Sequence, residues 1–493
     1  MKLKSKDTQM HDLQGKSLLP GLIDAHGHIG AHLSFWKKPN LAPPPAGPVS
    51  QISDIIKIMQ EEIAKNRPSE NVLVLGMNYD DSLLKEKRHP TRQEVDLISS
   101  THLVCLLHVS GHLATCNTKA LNKVGYKKGT PNPAGGVIQK DKNGDPTGVL
   151  EEQAVYPVLA FLPKKSPEET EKDFYEIQQH YAENGITTAQ DGLSSRASIK
   201  LFSSIAKKKK PLIDIVMYPG WGEFDGATPY QNRIKVAGLK ITMDGSPQGK
   251  TAFLSQPYLK VPEGEKEDYR GYSIMPQKEI DEKILRLFKD NVQVNVHCNG
   301  DACIDMVLQS LTKAMRKYPK KNLRPVMIHS QTVRTDQLEK MKHLKIFPSF
   351  FPAHTFFWGD WHRQETLGVE RASRISPLKE AESFGIKYSI HNDAPVIPVN
   401  LIYTLWASVN RLTRSNYVLG PEQRISTLNA LKAMTSWAAY QTFEEDSKGT
   451  LEPGKIADLV ILSQNPLEME NVDLIKLKVE ETIKDGETIF KSK

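Results

Sequence analysis

The chain has 493 residues, 39% hydrophobic and 25% charged, with a formal net charge of +7 at pH 7. That composition belongs to a soluble globular protein and excludes disordered and fibrous classes. The mild positive charge does not make a nucleic-acid surface: its densest patch, Lys207, Lys208, Lys209 and Lys210, precedes Pro211 and reads as a solvated helix end.

No window approaches the roughly 18 apolar residues of a membrane span, and Met1-Lys2-Leu3-Lys4-Ser5-Lys6-Asp7 lacks the apolar core of a secretory signal. Cys105, Cys116, Cys298 and Cys303 show no disulfide-scaffold or CxxC pattern. Cytoplasmic residence, with neither nucleic acid nor membrane as partner, is the default expectation.

In chain order, the first informative stretch is Leu18-Leu19-Pro20-Gly21-Leu22-Ile23-Asp24-Ala25-His26-Gly27-His28. On a strand, positions i and i+2 share a face, so His26 and His28 present two imidazoles to one point. Neutral imidazole is a good ligand for zinc and related divalent metals. A Pro-rich loop at 41–48 follows, then an amphipathic helix at 52–64. Segments 71–77 and 102–109 read as buried strands, and 136–140 with 147–150 as a hairpin turning at Asn143-Gly144. Residues 30–175 therefore form an insertion with its own strands and helices.

Beyond it the pattern becomes regular. Strands are expected at 186–190, 212–218, 238–243, 292–296, 326–328, 346–350 and 386–390. Helices are expected at 167–184, 277–290, 301–318, 335–343 and 376–384. Adding 18–23 gives eight strands alternating with helices, the number that closes a parallel (β/α)8, TIM-type barrel of the α/β class. A helical region at 401–442 and β runs at 456–462, 479–483 and 488–491 follow, the last two joined by Asp485-Gly486. The expected division is 1–17 as the N-terminal part of a small β domain, 18–445 as the barrel, and 446–493 as the C-terminal part of the small domain.

The C-terminal ends of barrel strands carry active sites. Here they bear His26 and His28 on strand one, Lys240 on four, His297 on five, His329 on six and Asp393 after strand eight. Singly, each has a bland reading: a satisfied histidine, Lys240 paired with Asp244, or Asp393 capping a turn. Jointly they supply a metal site with open positions. A divalent metal lowers the pKa of water from about 15.7 toward 7, and Asp393 is placed to take the water proton and pass it to a leaving nitrogen. Lysine as an ammonium is a poor ligand, so Lys240 needs modification or another role.

This order of residues resembles the amidohydrolase superfamily, as do Leu19-Pro20-Gly21-Leu22-Ile23-Asp24-Ala25-His26-Gly27-His28 and Gly449-Thr450-Leu451-Glu452-Pro453-Gly454-Lys455-Ile456-Ala457-Asp458-Leu459-Val460. Gly111-His112 with Asn117, Gly135-Gly136-Val137-Ile138, Asp244-Gly245-Ser246 and Asn392-Asp393-Ala394-Pro395-Val396 are similar to its third amidohydrolase family, the branch that includes N-substituted formamide deformylase. The resemblance covers about residues 14–491. It implies a barrel flanked by a β-sandwich built from both chain ends. It also implies two metals, usually zinc, bridged by a carboxylated Lys240. His26, His28 and Asp393 would hold one metal, His297 and His329 the other. His112 and His354 would lie near the substrate.

Two departures stand out. Only about a dozen residues precede Gln14-Gly15-Lys16 where the family has several strands, so a reduced or incomplete sandwich is expected. The residue before the strand-six histidine, commonly glutamate in the branch, is Ile328. The implied activity is hydrolysis of a non-peptide C–N bond in a small-molecule amide or formamide. The alternatives are a cyclic amide or imide hydrolase, a deaminase, or a non-catalytic regulatory protein on the same barrel. The aromatic run Phe350, Phe351, Phe356, Phe357, Trp358 and Trp361 reads as a pocket wall, a core segment or a homo-oligomer interface.

Overall fold

Gly21 divides the expected first strand in two. In the computed structural model, which describes residues 8, 10–262, 264–319 and 322–492, Ser17–Pro20 pairs antiparallel with Leu459–Leu462. Leu22–Asp24 (β1) instead pairs parallel with Ile186–Ser194 (β2). The Gly21 N–H donates to the Asp458 carbonyl at 2.7 Å. Any Cβ there would lie 2.4 Å from the Thr187 hydroxyl oxygen, so only glycine lets the chain cross between sheets. Both chain ends thus share a four-stranded antiparallel sheet, completed by Val479–Lys484 and Glu487–Lys491. Of the expected N-terminal segment 1–17, residues 1–7 and 9 lie outside the described residues.

All eight strands of the expected series are present. Asp214–Pro219 (β3) extends the arc of β1 and β2. Gly238–Thr242 (β4), Gln293–Cys298 (β5), Val326–His329 (β6), Phe347–Phe350 (β7) and Ser389–Ile390 (β8) form a second parallel arc. Two seams join the arcs. Ile234–Val236 pairs with β3 and leads through Ala237 straight into β4, and Lys240 bridges Gly220. On the other side, the Asp393 N–H donates to the His26 carbonyl (3.1 Å) and the His28 N–H to the Ala394 carbonyl (2.8 Å).

The strands read as apolar runs because both faces are covered. The helices between them obey local rules. Pro167–Glu183 starts with a Ser166/Glu169 capping box and proline in its first turn. Gln277–Lys289 buries Ile280, Ile284, Leu287 and Phe288 along one stripe.

The insertion is a five-stranded mixed sheet: Leu73–Tyr79, Leu103–His108, Leu113–Cys116, Pro146–Glu152 and Gly136–Lys140. The third of these was not expected; only four residues long, it carries too little pattern to register. The four cysteines are paired, Cys105 with Cys116 and Cys298 with Cys303. The spacings hide this because Cys105 and Cys116 meet through antiparallel register, and the other pair through the turn that begins Asp301–Lys317. No helix among the described residues is long and apolar enough to cross a membrane.

A buried ion network fastens the chain-end sheet beneath the strands. Lys484 Nζ lies 2.9 Å from Asp458 Oδ1, Asp214 Oδ2 and Asp485 Oδ1. Lys448 shares Asp214, and Arg233 donates to Asp485 Oδ2 at 2.7 Å. Burial works against the Lys484 ammonium, and the facing carboxylates outweigh it and hold its pKa above the ordinary lysine value.

Candidate functional site

Six of the sequence-derived residues converge at the strand ends. Asp393 Oδ1 lies 3.4 Å from His26 Nε2 and 3.3 Å from His28 Nε2, and Asp393 Oδ2 lies 3.9 Å from His329 Nε2. Lys240 Nζ is 3.1 Å from His26 Nε2. His297 joins edge-on to His329, with ring centroids 4.6 Å apart. His329 and Asp393 both hold positive φ, +71° and +55°. For non-glycine residues such conformations cost of order 1 kcal/mol each and gather at functional sites.

Hydrogen bonds select which ring nitrogens face the centre. His28 Nδ1 donates to the Gly192 carbonyl at 2.6 Å, so Nε2 keeps its lone pair. His297 Nε2 lies 3.2 Å from the Gly245 carbonyl and 3.1 Å from the Asn299 side-chain nitrogen. Asp393 Oδ1 is buried without any hydrogen-bond partner. An orphaned carboxylate oxygen among imidazole lone pairs is what a divalent cation fits. Burial pushes His26, His297 and His329 well below the usual histidine range, which keeps them neutral. Burial also brings Lys240 down to about 7. Asp244 does not pair with Lys240: its oxygens accept backbone N–H groups of Asn299 (3.0 Å), Gly300 (2.8 Å) and Phe253 (3.0 Å).

His112, from the insertion, stands over His297 with ring centroids 5.2 Å apart. Its Nδ1 is 2.9 Å from Glu152 Oε2. Burial opposes the imidazolium, and Glu152 outweighs it, raising the pKa. His354 stands further off. It packs on Trp358 at 4.5 Å and Phe351 at 4.8 Å, and touches His329 only through Phe351.

Sequence reasoning passed over His391 and Glu152. His391, fully buried, has Nε2 3.2 Å from His329 Nδ1. Period-2 spacing before Asp393 was the available signal. Glu152 lies 40 residues from His112 and carried none. The aromatic run divides: Phe350 and Phe351 are core, whereas Phe357 and Trp358 line a cavity of about 290 Å³ with Phe35, Trp36, Val396 and Ile397. Trp358 Nε1 donates to Asp80 Oδ2 at 2.6 Å, tying this wall to the insertion.

Behind His354, the buried His362 accounts for one expected pH effect. Its Nε2 is 3.2 Å from His354 Nδ1 and its Nδ1 2.9 Å from Thr366 Oγ1, and burial lowers its pKa to about 3. The unfolded chain protonates this ring near 6.5, and the native state stays neutral until about 3. The unfolded state therefore binds more protons in that window, and stability falls as pH drops through it, by up to about 1.4 kcal/mol per pH unit. His362→Gln should flatten the pH dependence of the urea midpoint between pH 6 and 4; an unaltered slope would show that His362 is charged in the native state.

A five-strand arc and a three-strand arc, joined at both seams and bearing this cluster on one rim, define a class of protein, and comparison gives it a family. Residues 9–490 match the model of the amidohydrolase family, and the chain belongs to it. It is 24% identical to N-substituted formamide deformylase of Arthrobacter pascens over 97% of this chain and 89% of that protein. It is 25% identical to the putative amidohydrolase YtcJ of Bacillus subtilis (strain 168), covering 99% and 92%. Among solved structures, an uncharacterized metal-dependent hydrolase from Pyrococcus furiosus superposes with a TM-score of 0.67 at 25% identity, covering 93% of this chain and 89% of that one.

Proposed function

We propose that the chain is a metal-dependent hydrolase that cleaves a non-peptide C–N bond of the N-acyl or N-formyl amine type. The observation that carries this reading is the orphaned Asp393 Oδ1 within 3.4 Å of two imidazole nitrogens. In this reading the two strand arcs close as a (β/α)8 barrel over 18–445, with 30–175 inserted. Within the described residues, 1–17 and 446–493 form the small β domain.

His26, His28 and Asp393 would hold one divalent metal, His297 and His329 a second, zinc in each case. A bound metal supplies water acidified toward neutral pKa and polarises a carbonyl oxygen. Lys240, with its pKa near 7, offers the uncharged amine that adds carbon dioxide. That step would form one N–C bond and release one proton, and the resulting carbamate would offer the metals an anionic ligand that an ammonium cannot be. Asp393 takes the water proton and delivers it to the departing nitrogen. His112, oriented by Glu152, holds the substrate carbonyl region, and His354 backs the aromatic wall. The cavity lining of Phe35, Trp36, Phe357 and Trp358 favours an apolar substituent.

The test is a screen of N-formyl and N-acyl amines against cyclic amides and imides, run on zinc-loaded protein with metal quantification. Turnover of the acyclic amides with one or two metals per chain is expected. Less than one metal per chain after supplementation, without turnover of either set, would replace this reading with a non-catalytic role.

A further inference from the structure

We infer that His391 is a positioning residue, which fixes the nitrogen that His329 turns to the centre through a one-way chain of hydrogen bonds. The inference rests on the reading above, in which His329 holds a metal. Five side chains take part: His329, His391, Ser349, Ser389 and Gln441. All are buried, none more than 4% exposed. His329 Nδ1 is 3.2 Å from His391 Nε2, His391 Nδ1 is 2.8 Å from Ser349 Oγ, and the Ser349 and Ser389 hydroxyls are 2.8 Å apart. Ser389 Oγ is 2.6 Å from Gln441 Oε1, and Gln441 Nε2 donates to the Ala25 carbonyl at 3.0 Å.

The direction follows from the far end. A backbone carbonyl only accepts, so the Gln441 amide nitrogen faces Ala25 and its Oε1 faces Ser389. Oε1 also only accepts, so the single Ser389 proton goes there. The contact between hydroxyls must then be donated by Ser349, whose lone pair is left for His391 Nδ1–H. His391 is fully buried and its two ring nitrogens face Ser349 and His329, with no carboxylate hydrogen-bonded to either, so the ring is neutral and carries one proton. His391 Nε2 is therefore an acceptor, and His329 must donate from Nδ1–H. That leaves His329 Nε2 bare, and Nε2 is the atom directed at Asp393. The chain begins at Ala25, beside His26, and ends at His329, so one set of bonds ties two opposite ligands together. Metal-bound histidines are commonly oriented by a partner on the second ring nitrogen, and losing that partner typically costs 10–100-fold in metal affinity.

The experiment compares zinc and cobalt(II) binding by chelator competition in the full chain and in His391→Phe, His391→Gln and Ser349→Ala, alongside visible spectra of the cobalt forms. Phenylalanine keeps ring volume without an acceptor. Affinity should fall about 10–100-fold, with an altered cobalt spectrum. Glutamine places Oε1 where Nε2 was and should restore affinity to within about 3-fold, along with the spectrum. Wild-type affinity and spectrum in His391→Phe would overturn the inference. So would equal losses in the phenylalanine and glutamine variants, which would mark a packing role. If His391→Phe does not fold, Ser349→Ala decides: a loss of about 3-fold or more supports the chain, and no loss overturns it. Should the unmodified protein take up no metal, the proposed function falls and this inference with it, whereas a metal-binding wild type with indifferent variants removes the inference alone.

Discussion

Asp393→Ala should lower hydrolysis by at least about 10³-fold while leaving the fold intact, because under the proposed function it removes both the proton carrier and a ligand of the first metal. The position tolerates truncation. Asp393 Oδ1 makes no hydrogen bond that the protein would miss, and the residue's backbone N–H still bonds the His26 carbonyl. His297→Ala should produce a comparable loss through the second metal position. Steady-state rates and metal content report the chemistry, and circular dichroism with thermal melting reports the fold. Undiminished turnover in either variant would sink the mechanism.

The largest expected effect on stability lies at the opposite end of the strands. Lys484→Met leaves Asp458 buried without a cation and Asp214 with Lys448 alone, and should cost about 3–5 kcal/mol, read as a shift in the urea midpoint. Lys484 is 1% exposed and the two aspartates 5% each, so water cannot take over the cation's role. Asp458→Asn in the Lys484→Met background should recover part of the loss, because one uncompensated charge is removed along with the cation. A Lys484→Met protein as stable as the parent would mean that water enters the network.

What could be read from the sequence follows from how each signal is encoded. Parallel strands covered on both faces are written as apolar runs, so the eight strands of the series are legible in the sequence, with ends moving by a few residues. Candidate ligands at those ends were equally visible, because strand position and side-chain type are both local. Three things were not local. The first strand is two strands, since Gly21 answers to Thr187 and Asp458, far along the chain. The cysteine pairs depend on register and turn geometry. His112 acquires its charge preference from Glu152, and His329 its free nitrogen from a chain reaching Gln441; neither partner lies within a sequence window.

The crossover at Gly21 ties two processes that occur far apart in the molecule. Only Gly21, Leu22, Ile23, Asp24 and Ala25 separate the chain-end sheet from His26, and Asp24 is buried with Oδ1 accepting the Asn392 N–H at 3.1 Å. Peeling Ser17–Pro20 away from Leu459–Leu462 would therefore pull on the strand that carries the first histidine pair. Fraying of the terminal sheet and opening of the centre become one cooperative event. Anything that binds the centre tightly should slow amide exchange in Leu459–Leu462, on the far side of the strands from the ligand itself.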